Sequence, residues 1–282
     1  MKLLVDLVIV IPVGPTCKIE FIFDTISSIK HYIHSSHKII ISDDSQSVGT
    51  GAKVIEQFPD VLVIKHEKNY GKGLGLYMTL SHAFCYALDQ FDFKALLRLD
   101  TDALIIGHDP ELPIIEFFKK NPNMGLAGQY VKGVQSPPDD FGNVWKNGGR
   151  ELYVAIVKLF TRYYLRHPII YWKVRKLIFK AISRGYELGE MVFGGAYAFS
   201  PIGLEKLRSN GLLPIANLLG ADLEEDHFFT MLIAHVGLDR GDLASGELPF
   251  ACAWKGLPAR RTASGGNRNE SKYNIESLRR LS

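Results

Sequence analysis

The chain has 282 residues, 46% hydrophobic and 22% charged, an ordinary globular composition with enough apolar surface for a substantial core. No apolar run approaches the ~18–20 residues of a spanning helix, which argues against an integral membrane protein. Thirty-three Lys plus Arg against thirty Asp plus Glu leave only +3, too weak a global field to indicate a nucleic-acid partner.

Cys17, Cys85 and Cys252 are odd in number, far apart and outside any CxxC spacing, so they form neither a disulfide framework nor a zinc knuckle. They fit a reducing, cytoplasmic setting. Met1 to Val5 imitates a signal peptide, but Asp6 interrupts the apolar run and no small-x-small cleavage site follows; the start reads as mature protein.

Val8-Ile9-Val10-Ile11 is a β-branched run stopped by Pro12 and Gly14, the pattern of a strand buried on both faces. Phe21 to Ile33 carries apolar residues at helical spacing. Ile39-Ile40-Ile41 is a second buried strand running into Ser42-Asp43-Asp44-Ser45, residues 51–58 read as a helix, and Val61 to Ile64 as a third strand. A glycine-rich loop, Asn69 to Gly75, precedes an amphipathic stretch from Leu76 to Leu88, and Ala95 to Leu99 leads as a strand into Asp100-Thr101-Asp102. This alternation predicts βαβ units: an α/β fold with a mostly parallel sheet and ligands at the carboxyl ends of its strands.

The later chain changes character. Residues 136–149 read as an exposed loop. Leu152 to Tyr163 and Ile170 to Ile182 then form a pair of amphipathic helices separated by a break at Pro168. Nine basic residues fall between Arg150 and Arg184 against the single acid Glu151, concentrating +8 there and leaving −5 elsewhere. Glu190 to Ser200 reads as a strand interrupted at Gly194-Gly195, Pro201 opens a helix, and Asp222 to His227 opens another that runs to Gly237. The expected organisation is one unit over 1–259, with a first half to about 130, the basic helices over about 150–185 and a second half over 186–259, which the resemblance described below implies are the nucleotide-sugar and acceptor halves of a catalytic domain; residues 260–282 read as a flexible tail.

Asp100 and Asp102, spaced i and i+2 after a buried strand, are hard oxygen ligands suited to Mg²⁺ or Mn²⁺ shared with a diphosphate; the alternative is a solvated turn. Asp43 and Asp44 end a strand at the same sheet edge, where a carboxylate can accept from a base imino group or a ribose hydroxyl, or else cap a helix. Pro12, Val13 and Gly14 would bring backbone close to the same ligand. The loop Gly71-Lys72-Gly73-Leu74-Gly75 is neither a dinucleotide fingerprint nor a P-loop; it reads as a flexible turn letting a helix abut the nucleotide site, with Lys72 as a diphosphate contact.

In order and spacing, Val8 to Pro12, Asp43-Asp44-Ser45, Asn69-Tyr70-Gly71, Asp100-Thr101-Asp102, Gly194-Gly195 and Glu225-Asp226 resemble the motifs of GT-A fold glycosyltransferases, particularly the inverting family 2, across residues 5–240. The resemblance implies a Rossmann-like GT-A sheet carrying the basic helices as an insertion. It further implies that Asp43 or Asp44 contacts the nucleoside, Asp100 ribose or metal, and Asp102 the metal, Mn²⁺ or Mg²⁺. Gly194 and Gly195 would line the acceptor side, and Asp226, beside Glu225, would be the general base. The implied reaction moves a hexosyl unit from a UDP- or GDP-sugar to a sugar or lipid-linked sugar acceptor, as in cell-surface polysaccharide synthesis. One departure stands out: Phe250 to Gly256 holds no His to serve as a further metal ligand, offering only Lys255 to meet the diphosphate, while His227 and His235 read as packed or surface residues.

Two rivals are a sugar-1-phosphate nucleotidyltransferase, for which Pro12 to Thr16 is a poor phosphate loop, and a catalytically silent binding module of the same fold. The basic stretch from Arg150 to Arg184, with Tyr163, Tyr164, Tyr171 and Trp172, suits peripheral contact with an anionic inner-membrane surface, a homo-oligomer interface or a merely solvated face. No nucleic-acid motif accompanies the charge.

Overall fold

A computed structural model of the chain describes residues 2–131, 167–221, 223–244 and 249. In chain order the elements are β1 (Leu3–Leu4), β2 (Leu7–Val13), α1 (Ile19–Tyr32), β3 (His37–Asp43), α2 (Thr50–Gln57), β4 (Leu62–Lys65), α3 (Leu74–Gln90), β5 (Phe91–Asp92) and β6 (Ala95–Leu99), followed by α4 (Glu111–Lys120), β7 (Met124–Val131), α5 (Pro168–Ile182), β8 (Met191–Phe199), α6 (Pro201–Ser209), α7 (Glu225–His235) and β9 (Asp239–Asp242). The central sheet has strand order β4-β3-β2-β6-β8-β7-β9; all its pairings are parallel except those of β8, which runs antiparallel to both β6 and β7.

Period-2 alternation buries both faces of the sheet. On β2, Val8 and Val10 join one core with Ile40 and Leu96, while Leu7, Ile9, Ile11 and Val13 join the other with Ile39, Ile41 and Leu97. The first core lies under α3, α5, α6 and α7 and contains an edge-to-face aromatic cluster of Tyr77, Phe84, Phe199, Phe228 and Phe229. The second lies under α1, α2 and α4. Helices flanking both faces of a mostly parallel sheet are the architecture that the alternation predicted.

From β2 the chain passes through α1 to β3 and through α2 to β4 on one side, then returns from β4 through α3 on the opposite face to β6 on the other side of β2. The sheet therefore reverses its winding between β2 and β6, where an open α/β sheet leaves a crevice at its carboxyl edge. Asp43, Val13 and Leu99 end the three strands facing that crevice.

Several local expectations need correction. Pro12 does not stop the first strand, which continues to Val13 in register with Asp43. The Val13 carbonyl accepts from Asp44 N–H on the β3 side, so the ring nitrogen of Pro12 faces the β6 side, where pairing has already ended at Val10 and Arg98 and no ladder hydrogen bond is lost. The helix expected from Ile170 starts two residues earlier, with Pro168 in its first turn, where a missing N–H costs nothing. The last helix begins at Glu225, with Glu224 as its cap, not at Asp222. The loop 136–149, the helix expected over Leu152 to Tyr163, Lys255 and the tail 260–282 lie outside the described residues.

Candidate functional site

Asp43 and Asp44 take different parts. Asp43 accepts from Ser45 N–H through Oδ1 (2.9 Å) and from Gly51 N–H through Oδ2 (3.0 Å), and a Cβ on Gly51 would sit 2.5 Å from that oxygen. Its carboxylate is thus locked beneath the first turn of α2, tying the end of β3 to the helix. Asp44 faces the other way: its Oδ2 accepts from Tyr70 N–H at 2.9 Å and its backbone carbonyl from the Asn69 side chain at 3.2 Å. The Asn-x-Gly loop is thereby fastened to Asp44. Behind it, buried His66 pairs through Nε2 with Ser42 Oγ (2.8 Å) and meets the rings of Tyr70 and His82; burial holds its pKa below the ordinary imidazole value.

The glycine loop is closely wound, not flexible. Gly73 has φ +58° and any Cβ there would meet Leu223 O at 2.5 Å, while a Cβ on Gly75 would meet Tyr70 O at 2.0 Å. These two positions need glycine because backbone passes over backbone. Lys72 is exposed on this loop.

Between these residues and the β6 end, the loops interlock. Gly14 N–H meets Cys17 Sγ at 3.3 Å, Thr101 Oγ1 reaches the same sulfur at 3.7 Å, and Thr25 Oγ1 bonds the carbonyls of Thr101 (2.9 Å) and Ala103 (2.8 Å). Helix α1 thus holds the Asp-Thr-Asp turn against the end of β2.

On the other side, Asp100 N–H donates to Gly195 O at 3.0 Å. Gly194 and Gly195 do not interrupt β8; they lie in an irregular stretch where pairing to β7 shifts register between Gly128 and Tyr130. The bulge turns backbone toward α7, and a Cβ on Gly194 would sit 2.9 Å from Asp226 Oδ2. The other oxygen of Asp226 accepts from its neighbour's amide, His227 N–H, at 2.7 Å in the first helical turn.

Beneath the carboxylates lies a cation. Arg98 alternates onto the same face as Leu96, is 1% exposed, and places one terminal nitrogen 2.7 Å from Asp100 Oδ1 and 3.2 Å from Glu225 Oε1. Its guanidinium carbon lies 5.2 Å from the Tyr197 ring centroid, and Tyr197 OH donates to Glu225 Oε1 at 3.4 Å. Nε and the other terminal nitrogen have no hydrogen-bond partner among the described residues. Burial alone would weaken the guanidinium's hold on its proton, but Asp100 and Glu225 raise its pKa further still. Burial pushes Glu225 the other way for a carboxyl, up to about 8, with Arg98 opposing and Asp226 and Asp100 adding to the rise.

The expected residues therefore fall along one carboxyl edge in the order Asp44, Val13-Gly14, Asp100-Asp102, Gly194-Gly195 and Asp226, with Asp43, Asp44 and Glu225 all buried and holding their neighbours. Buried His235 is engaged through Nδ1 with Leu177 O (3.1 Å) at the far end of α7, and His227 is buried as well. Among the described residues no group of three His, Cys, Asp or Glu is arranged to hold a metal. As a donor set, Asp102 and the second oxygen of Asp100 suit a hard cation that takes its remaining ligands from water and a diphosphate. Sequence reasoning missed Arg98, Tyr197, Thr25 and Cys17. Only Arg98 left a signal, as a lone charge in the apolar strand Ala-Leu-Leu-Arg-Leu.

No protein-family description matches the chain, and no curated protein matches it. Among solved structures it is similar to the mannosyltransferase PcManGT from Pyrobaculum calidifontis in complex with GDP-Man and Mn²⁺: 18% identity over 84% of this chain and 54% of that one, TM-score 0.48. It is also similar to residues 1–349 of TarS from S. aureus, with UDP (15% identity, 87% of this chain and 60% of that one, TM-score 0.49) and with UDP-GlcNAc (14%, 87% and 58%, TM-score 0.46). The chain spans between half and two thirds of the length of these structures.

Proposed function

We propose that this chain is a glycosyltransferase that moves a sugar from a nucleoside-diphosphate sugar to a hydroxyl acceptor with inversion, Asp226 acting as general base. The observation that carries the reading is the gap left by Gly194: the strand bulge gives up a side chain where Asp226 lies against it, which brings a carboxylate from the acceptor-side helix to the edge held by Asp100 and Asp102.

In this reading Asp44, braced by the Tyr70 amide, receives a base N–H, and the backbone of Val13 and Gly14 lines the nucleoside. Asp102 and Asp100 would hold Mn²⁺ or Mg²⁺, which when bound offsets the negative charge gathering on the departing diphosphate. The acceptor oxygen attacks the anomeric carbon from the face opposite the diphosphate, the anomeric C–O bond breaks, and the hydroxyl proton passes to Asp226. Glu225 does not face the reacting groups; through Arg98 it fixes the start of α7 relative to the end of β6. A nucleotidyltransferase fits less well, because the loop leaving β2, Gly14-Pro15-Thr16-Cys17-Lys18, offers one cation for a triphosphate.

The test is nucleoside-diphosphate release from a panel of UDP- and GDP-sugars with Mn²⁺, to water and to simple glycoside acceptors. The reading expects release from at least one donor and a fall of roughly 10²–10⁴ in Asp226→Asn. Release of pyrophosphate from a sugar-1-phosphate and a nucleoside triphosphate would establish the rival instead.

A further inference from the structure

We infer that the outer face of α5 is a docking surface for an anionic lipid bilayer. The helix divides sharply. Tyr171, Val174, Ile178 and Ala181 are buried, Leu177 O meets His235 of α7, and Ile170 reaches Gly220, so one face is fully used in packing. Opposite it, Ile169 (71% exposed), Trp172 (53%) and Phe179 (54%) point outward at helical spacing, with Ile182 continuing the stripe. Lys176 sits between the two aromatics, its Nζ 5.5 Å from a Trp172 ring centroid, and Lys173 and Lys180 flank them. From His167 to Tyr186 there are five Lys or Arg and no acidic residue.

A merely solvated helix face has no use for two aromatics and an isoleucine in one stripe. Two other occupants are disfavoured by charge. A second copy meeting this face about a two-fold axis would set lysines against lysines, and protein interfaces are depleted in lysine at their centres. An apolar stripe with a tryptophan and flanking lysines instead matches the boundary of an anionic bilayer, where the rings enter at headgroup depth and the ammonium groups meet lipid phosphates. No helix among the described residues is long and apolar enough to cross a membrane, so the contact is peripheral. The inference stands apart from the transferase reading; either can fail alone.

The test uses the full chain in a Trp145→Phe, Trp254→Phe background, leaving Trp172 as sole tryptophan, with phosphatidylcholine vesicles and vesicles containing phosphatidylglycerol. Expected are sedimentation with the anionic vesicles at low salt, loss of roughly tenfold or more at high salt, and a blue shift of Trp172 emission on binding. Lys176→Glu with Lys180→Glu abolishes sedimentation, and Phe179→Ala in the same background weakens it about tenfold, both with unchanged urea midpoints. Failure to sediment with anionic vesicles overturns the inference, as does binding indifferent to lipid charge. So does a lipid-free Trp172 inaccessible to acrylamide, meaning that the chain covers its own face, or a concentration-dependent dimer dispersed by Phe179→Ala.

Discussion

Replacing Arg98 by Met tests the link between β6 and α7, and its cost should grow with pH. The substitution keeps an unbranched side chain under Tyr197 but removes the charge held 2.7 Å from Asp100 and 3.2 Å from Glu225. Removing one member of a buried ion pair commonly costs about 3–5 kcal/mol, because the other is left as a bare charge. Here both orphans have an escape at neutral pH: Asp100 is partly open to water, and Glu225, already pushed up to about 8, takes a proton. Two nitrogens of Arg98 make no hydrogen bond among the described residues, so the variant also sheds an unmet desolvation cost. The expected loss at pH 7 is therefore about 1–3 kcal/mol. Without Arg98, which lowers the Glu225 pKa, that pKa climbs above 8. Because stability held by a raised carboxyl pKa is lost as pH rises through it, the gap from wild type should widen as pH rises above neutrality. Urea unfolding of wild type and Arg98→Met at pH 7 and near pH 9.5 measures both quantities. A loss below about 0.5 kcal/mol, or one equal at the two pH values, would refute the argument; adding Glu225→Gln should remove the widening.

Further outcomes follow from the same geometry. Wild type itself should lose stability as pH rises from about 4.5 through 8 relative to Glu225→Gln, because a carboxyl whose folded pKa is raised binds more protons folded than unfolded in that window; paired thermal melts read the difference. Asp43→Ala strands two amides under α2 and should cost about 1–3 kcal/mol of stability, whereas Asp44→Asn, which keeps a carbonyl oxygen for the Tyr70 amide, should cost less and weaken nucleotide binding, which calorimetry separates. Gly194→Ala should fold normally, since the crowded neighbour is a rotatable carboxylate, yet lower kcat for transfer roughly 10- to 100-fold by displacing Asp226.

The apolar framework was legible in the chain because its strands are buried on both faces: Leu7 to Val13, His37 to Asp43 and Ala95 to Leu99 announce themselves as β-branched or leucine runs, the last two leading into acids. The elements not foreseen carry weaker patterns. Helix α4 contains Pro113, β7 opens Met-Gly-Leu-Ala-Gly-Gln with two glycines, and β9 is Asp-Arg-Gly-Asp, a strand made by pairing to β7 and not by propensity. At the site, motif order located the carboxylates but not their division of labour. Which of Asp43 and Asp44 holds α2 and which holds the Asn-x-Gly loop depends on the Gly51 and Tyr70 amides, 8 and 26 residues away. Arg98 escaped notice for a related reason: its partner Glu225 lies across the sheet from another part of the chain, and only tertiary packing brings them together.

Isothermal titration with UDP and GDP, in Mn²⁺ and in its absence, bears most directly on the claim that the carboxyl edge between Asp44 and Asp102 is a nucleoside-diphosphate site. The account predicts that one of the two nucleotides binds, that Mn²⁺ tightens the binding, and that Asp102→Asn and Asp44→Asn each weaken it by roughly tenfold or more while both variants remain folded by circular dichroism. Absence of binding by either nucleotide, or binding that both variants leave intact, would contradict it.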